Sequence, residues 1–108
     1  MSAPLQSYLR TYRKRSGFSQ DEIAFLLGHQ SGTKVSRYER RARRPLLETA
    51  LAYEAVFKIP SRELFAGLYH KVEKRTRDRA RLLAKKLGTA QPERSASRKL
   101  KLLNSLLA

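Results

Sequence analysis

The stretch that decides the fold is Gly17–Glu39, which reads GFSQDEIAFLLGHQSGTKVSRYE. Ser19 and Glu22 within it have the spacing of a capping box, in which the serine hydroxyl accepts from the backbone N–H three residues on and the glutamate reaches back to the serine. A run of apolar residues follows this pair, and Gly28 is a natural helix stop. The pattern therefore predicts a short helix over residues 19–27.

A second short helix follows after the polar stretch His29-Gln30-Ser31. Ser31 is the predicted N-cap, because serine oxygens accept from the first free N–H groups of a helix. Val35 and Tyr38 have the spacing of inward-facing residues, which leaves a polar outward face on a helix over residues 31–40. Two short helices joined by a tight turn, with a polar face on the second, have the geometry that fits a DNA major groove.

Helical spacing also recurs on either side of this pair, and strand signals are almost absent. The sequence therefore predicts an all-α protein with five helices in its N-terminal part. A first helix is expected to end near Ser16-Gly17, a fourth to begin at Pro45, and a fifth to follow Pro60. The residues expected to be apolar contacts of these helices are Leu5, Leu9 and Tyr12 in the first, Leu47, Ala50, Leu51, Tyr53, Val56 and Phe57 in the fourth, and Leu64, Phe65 and Leu68 in the fifth.

The charge of the chain is +15 over 108 residues, and it is unevenly distributed. Residues 1–67 hold 12 Lys/Arg and 6 Asp/Glu, whereas residues 68–108 hold 12 and 3. We therefore expect a compact domain over 1–67 and a basic helical extension over 68–108, with a linker near 88–97 and a terminal amphipathic helix over 98–107. Such a field attracts polyanions, so the candidate partners are DNA, RNA, an anionic membrane surface or an acidic protein.

Several kinds of site find no support in the sequence. The chain has no cysteine, which excludes disulfides and thiolate chemistry. Its two histidines, His29 and His70, lie far apart, and no nucleophile, metal or cofactor spacing is present. No secretory signal and no apolar run of membrane-spanning length appears. We therefore expect a cytoplasmic protein that is not an enzyme, has no cofactor and makes no membrane contact.

The ordered motif Gly17-Phe18-Ser19-Gln20, Ile23-Ala24, Leu27-Gly28, Val35–Glu39 and Pro45 resembles a known family. Residues 9–65 are similar to the phage repressor/Cro-type helix-turn-helix regulators, the xenobiotic-response-element group. The resemblance implies a five-helix lambda-repressor-like DNA-binding domain, here with a basic C-terminal helical extension. It also implies a transcriptional regulator of prokaryotic or phage type, a repressor that binds near-palindromic double-stranded DNA as a homodimer.

The resemblance further implies which residues contact DNA. Gly32, Thr33 and Arg37 match the positions that face base edges; the Arg37 fork suits guanine and the Thr33 methyl group suits thymine. Glu39 matches a position that fixes the motif by polar contacts. The residues expected at the DNA backbone are Gln20, Lys34, Ser36, Arg40, Arg41, Arg43 and Arg44.

The sequence departs from the family pattern at three points. The turn from Gly28 to Val35 is one residue longer than in the phage repressors, which shifts the base-facing positions by as much as one residue. Arg41 stands where the family often has glycine. Glu54 stands where a small apolar residue is common, and it must be exposed or paired with a cation such as Lys58, since burial of a lone carboxylate is costly.

The basic extension leaves a second interpretation open. It can add nonspecific DNA affinity, or it can be a dimerisation or partner-binding element that uses the leucines from Leu100 to Leu107. An antitoxin or adaptor that wraps this segment around an acidic partner is the alternative function, and an RNA-binding protein is a further one. A membrane-surface role fits less well, because the apolar face of the last helix lacks Trp and Phe.

Overall fold

The computed structural model describes residues 5–89 and 94–108, and within them the chain is helical with no strand. This confirms the predicted all-α class. Seven helices follow one another along the described chain. They are α1 (Leu9–Ser16), α2 (Gln20–Leu27), α3 (Thr33–Glu39), α4 (Leu47–Phe57), α5 (Ser61–Leu64), α6 (Ala66–Thr89) and α7 (Arg94–Leu107).

The ends of α1 and α2 follow the local sequence signals closely. Both arms of the predicted capping box are present at α2: Glu22 N donates to Ser19 Oγ at 3.0 Å, and Ser19 N donates to Glu22 Oε1 at 2.8 Å. Gly17 ends α1 and Gly28 ends α2, each with a φ of +80°, a left-handed conformation that glycine adopts without steric cost. The structure therefore confirms these helix boundaries. They could be predicted because the groups that set them lie within a few residues of one another.

The start of α1 differs from the prediction. Leu5 does not belong to the helix, which begins at Leu9, and its side chain is exposed. Its carbonyl accepts instead from Gly67 N at 2.8 Å. A Cβ at Gly67 would lie 2.6 Å from that carbonyl oxygen, so only glycine permits this close approach of backbone to backbone.

The core of the first five helices is small and partly aromatic. Val35 and Tyr38 are buried, as their spacing predicted, and Tyr38 contacts Tyr53 edge to face with ring centroids 6.3 Å apart. Tyr53 stacks in turn on Phe57, at 6.1 Å. The fully or nearly fully buried residues of this core are Leu9, Ile23, Ala24, Val35, Tyr38, Tyr53 and Leu64.

The predicted burial of α4 is wrong at its N-terminal end. Leu47 and Leu51 are 74% and 52% exposed, while Thr49 and Tyr53 face the core. Ala50 is half-buried. The large aromatic ring of Tyr53 fixes which side of α4 is buried, and Leu47 and Leu51 consequently lie on the solvent side of the helix.

The polar partner of Glu54 also differs from the expected one. Glu54 Oε1 accepts from Ser61 N at 2.7 Å and from Ser61 Oγ at 3.0 Å. The carboxylate therefore caps the first turn of α5 rather than pairing with Lys58, and this is the reason that the family's small apolar residue can be replaced by an acid here. Helix α5 is a single turn, so Leu68, expected in it, belongs to α6.

The chain divides into two compact units, residues up to Tyr69 and residues from His70 onward. The segment predicted as a linker near 88–97 is helical at both of its ends. Gly88 lies within α6 without the left-handed conformation that ends α1 and α2, and α7 already begins at Arg94. The remaining part of that prediction, residues 90–93, lies outside the described residues. None of the described helices is apolar over enough of its length to cross a membrane.

Candidate nucleic-acid interface

The first turns of α2 and α3 lie side by side because Gly32 permits it. Gly32 is buried, and its N–H donates to Asp21 Oδ1 at 2.8 Å. A Cβ at this position would lie 2.8 Å from the same carboxylate oxygen and 3.0 Å from Gln20 Cβ. Gly32 was expected to face base edges, but this packing against α2 removes it from the exposed surface.

The start of α3 is a second correction. The N-cap is Gly32 and not Ser31, and the helix proper begins at Thr33. Ser31 still assists the turn from outside the helix, since its Oγ accepts from Thr33 N at 3.4 Å and lies 3.2 Å from Thr33 Oγ1. The contact between Asp21 and Gly32 therefore outweighs the local preference for serine at the cap.

The outward face of α3 is short and cationic. Thr33 and Arg37 are exposed and four residues apart, which places them one above the other on the same face. Lys34 is exposed on one flank, and Ser36 is half-buried on the other. Among the residues that the structure describes, no carboxylate pairs with Lys34 or Arg37, so both cations are available to an anionic ligand.

A buried polar cluster around Glu39 fixes the orientation of α3. The Arg13 guanidinium forms a two-point contact with the carboxylate, Nε to Oε2 at 2.6 Å and Nη2 to Oε1 at 3.0 Å. Arg13 Nη1 donates to the Phe18 carbonyl at 3.1 Å, and Gln20 Nε2 donates to Glu39 Oε1 at 3.1 Å. The hydrogen bond to Glu39 raises the pKa of Arg13 above its usual value. One carboxylate thus ties α1, the start of α2 and the end of α3 together.

Glu39 makes polar contacts, as expected, and these contacts are to Arg13 and Gln20. The sequence analysis did not identify Arg13 as a partner. The available signal was its position four residues after the buried Leu9, which places a cation on the same side of α1. A cation on that side needs a carboxylate partner, and Glu39 lies 26 residues away in the sequence. No local spacing rule connects the two.

A basic loop follows α3. Arg41 has a φ of +63°, a left-handed conformation at the position where the family often has glycine. A side chain there costs about 1–2 kcal/mol. The loop is held by Ala42 N donating to the Arg37 carbonyl at 2.9 Å and Arg41 N donating to the Tyr38 carbonyl at 3.1 Å. Its exposed cations are Arg40, Arg41, Arg43 and Arg44.

The positive charge of this surface extends to the turn between α2 and α3. His29 is half-buried, and its Nε2 lies 3.4 Å from the Tyr38 hydroxyl. Burial lowers the pKa of His29, and the cations Lys34 and Arg43 lower it further. The imidazole is therefore neutral at pH 7. The positive field comes from lysine and arginine, and it does not depend on pH in the physiological range.

Comparison with known proteins identifies a family. Neither the curated proteins nor the solved structures contain a match to this chain. A family model described as helix-turn-helix matches residues 9–64, which is more than half of the 108 residues. The match covers α1 to α5, including both helices of the motif, and it confirms the resemblance inferred from the sequence. The chain therefore belongs to the Cro/XRE-type helix-turn-helix family and is a DNA-binding transcriptional regulator.

Proposed function

We propose that the protein represses transcription by binding a near-palindromic duplex site as a homodimer, with α3 in the major groove. The observation that carries this proposal is the exposed face of α3 between the start of α2 and the arginine loop. Thr33 and Arg37 stand one helical turn apart on that face and have no competing carboxylate among the described residues. A helix of this size with a polar, cationic face fits the width of the major groove.

Thr33 and Arg37 are the base-reading residues in this proposal. The planar guanidinium of Arg37 presents two donors to guanine O6 and N7, and the Thr33 methyl group contacts a thymine methyl. Burial of Gly32 leaves these two side chains as the readers, with Lys34 and Ser36 on the flanks directed to phosphates.

The DNA backbone is contacted on both sides of α3. Gln20 is the first residue of α2, where free backbone N–H groups and the helix dipole favour a phosphate. Its side chain is held by Glu39, so the amide is oriented before DNA arrives. The arginines of the loop, at positions 40, 41, 43 and 44, contact phosphates on the other side.

Titration of duplex DNA against salt tests the proposal. If the cations on and around α3 neutralise roughly six phosphates, log K should fall with log salt at a slope of about −5 or steeper. Selection of bound sites from random duplexes should yield two inverted half-sites about one helical turn apart. A slope near zero, or selected sites without any shared sequence, would contradict sequence-selective duplex binding.

The exposed leucines at the start of α4 support the homodimer. Leu46, Leu47 and Leu51 are 75%, 74% and 52% exposed and directly follow the arginine loop. We expect Leu47→Glu combined with Leu51→Glu to convert a dimer to a monomer. The helix itself tolerates the change, because acidic residues near an N-terminus are favourable. Sedimentation measures the oligomeric state. The variant should also bind a duplex with two half-sites no more tightly than a duplex with one.

A matched pair of substitutions on α7 separates the two possible dimer interfaces. Leu103→Glu combined with Leu107→Glu introduces the same charge into the terminal helix, where both leucines are half-buried. This variant should sediment as the parent does. A monomer from the α7 variant and a dimer from the α4 variant would place the interface on the terminal helix instead.

A further inference from the structure

The part of α6 beyond Tyr69 carries most of its exposed cations on one face. At 3.6 residues per turn, six exposed cations fall within an arc of about 140°. One of them is Lys86, and we refer to the other five as the α6 cationic face. They are Lys71, Lys74, Arg75, Arg79 and Lys85. The opposite side of the helix carries Val72, Leu83 and Leu87 together with Ala80, which is only 4% exposed.

The acids of α6 do not neutralise this face. Glu73 pairs with Arg77 at 3.8 Å, and Asp78 pairs with Arg81 at 2.9 Å. Both of these arginines lie outside the α6 cationic face. In the part of the chain that the structure describes, none of the five cations of the face has a carboxylate within ion-pair distance. One acid, Asp78, lies within the same arc, but it pairs with Arg81, so the face keeps a net positive charge.

We infer that the α6 cationic face is a second, sequence-independent binding site for the phosphate backbone of duplex DNA. The inference rests on the proposed function, since it assigns a further contact to the same ligand. From Lys71 to Lys85 the helix rises about 21 Å, the length of about six base pairs. The cations recur along it at intervals of one to six residues, close enough to follow successive phosphates of one strand.

The chemistry of the face favours nucleic acid over an acidic protein. Leu82 is the one large apolar residue among the described residues of this arc, and it is 63% exposed. Protein interfaces are built on an apolar or aromatic centre with the charges at the rim. Phosphate binding needs only the charges. In addition, the helix-turn-helix unit of the same chain keeps DNA at a high effective concentration near α6.

The experiment compares two full-length variants that each lose four positive charges. Glutamine is used throughout, because its helix propensity is close to that of lysine and arginine. The α6 variant carries Lys71→Gln, Lys74→Gln, Arg75→Gln and Lys85→Gln. The control carries Arg10→Gln, Lys14→Gln, Lys58→Gln and Arg62→Gln, all exposed positions outside α6. Binding to the selected duplex and to an unrelated duplex is measured over a range of salt.

The α6 variant should show a salt slope shallower by about 3–4 than that of the parent protein. Its affinity should fall by the same factor for both duplexes, so the preference for the selected site is kept. The control should keep the parent slope to within about one, since a change in net charge alone removes no phosphate contact. Circular dichroism checks that both variants retain the helicity of the parent.

Equal slopes for the α6 variant and the control would overturn the inference. So would an unchanged slope on DNA together with weaker retention of the α6 variant on immobilised polyglutamate, which would assign the face to an acidic protein. Replacing the three lysines with arginine should preserve the slope, because charge and not side-chain identity carries the contact. If the parent binds its selected site and the α6 changes have no effect, only this inference is wrong. If the parent does not bind duplex DNA at all, the proposed function is wrong.

Discussion

Replacing Glu39 with alanine should lower the free energy of unfolding by about 3–5 kcal/mol, the cost of leaving a buried charge without its partner. The Glu39 side chain is 3% exposed and that of Arg13 is 12% exposed, so water cannot replace the lost carboxylate. Arg13 would lose both of its contacts to Glu39, and the amide of Gln20 would lose its acceptor. For a domain of this size, such a loss removes much of the total stability.

Urea unfolding of the variant measures this effect, and Glu54→Ala is the matched control. Glu54 is a half-buried carboxylate with two hydrogen bonds, but its partners are the neutral N–H and hydroxyl of Ser61. Its loss should cost about 0.5–2 kcal/mol, the cost of a helix cap. An effect of Glu39→Ala no larger than that of Glu54→Ala would show that the Arg13 charge is not buried in solution.

A double substitution separates the contribution of the Arg13–Glu39 ion pair from the cost of leaving one of its ions unpaired. Arg13→Met combined with Glu39→Leu removes both charges and keeps apolar volume at the site. We expect this variant to be more stable than Glu39→Ala alone, because no unpaired ion remains. Its DNA affinity is a separate readout. Gln20 is no longer positioned in this variant, so binding should weaken even where the fold is retained.

The parts of the fold that could be predicted from sequence are those set by near neighbours. The capping box at Ser19 and the stops at Gly17 and Gly28 each depend on groups within about four residues, and each is present in the structure. The inward positions Val35 and Tyr38 were also found, since helical period determines which residues share a face.

The parts that were missed depend on contacts between distant residues. Glu39 meets Arg13 across 26 positions, and the backbone N–H of Gly32 meets Asp21 across 11. In α4, leucines occur on more than one side of the helix, so the period alone did not show which side packs against the core. The ring of Tyr53 decides that question only once α3 is in place beside it.

The same reasoning applies to the candidate interface. The family pattern located α3 and its neighbours, but it could not show that Gly32 is enclosed by the start of α2. Its N–H donates to Asp21, and Asp21 and Gln20 fill the space beside it. The proposal therefore assigns base reading to Thr33 and Arg37 alone, which makes it easier to test.

Arg37→Ala should reduce discrimination at one base pair by about 1–3 kcal/mol, the contribution of one bidentate contact to guanine. Arg37 is exposed and has no carboxylate partner in the described chain, so the fold should be unaffected and the unfolding free energy should stay within about 0.5 kcal/mol. The measurement is competition between the selected duplex and the three duplexes altered at that base pair. The variant should bind all four with similar affinity.

Two further substitutions decide whether Arg37 reads a base or only a charge. Arg37→Lys keeps the positive charge but lacks the planar two-donor fork, so it should retain affinity for unrelated duplex while losing most of the preference at that base pair. Lys34→Ala, on the flank of the same helix, should weaken binding to all sequences equally and reduce the salt slope by about one. If Arg37→Ala behaves as Lys34→Ala does, Arg37 is a phosphate contact. Base reading by α3 would then rest on Thr33 and on the shape of the DNA.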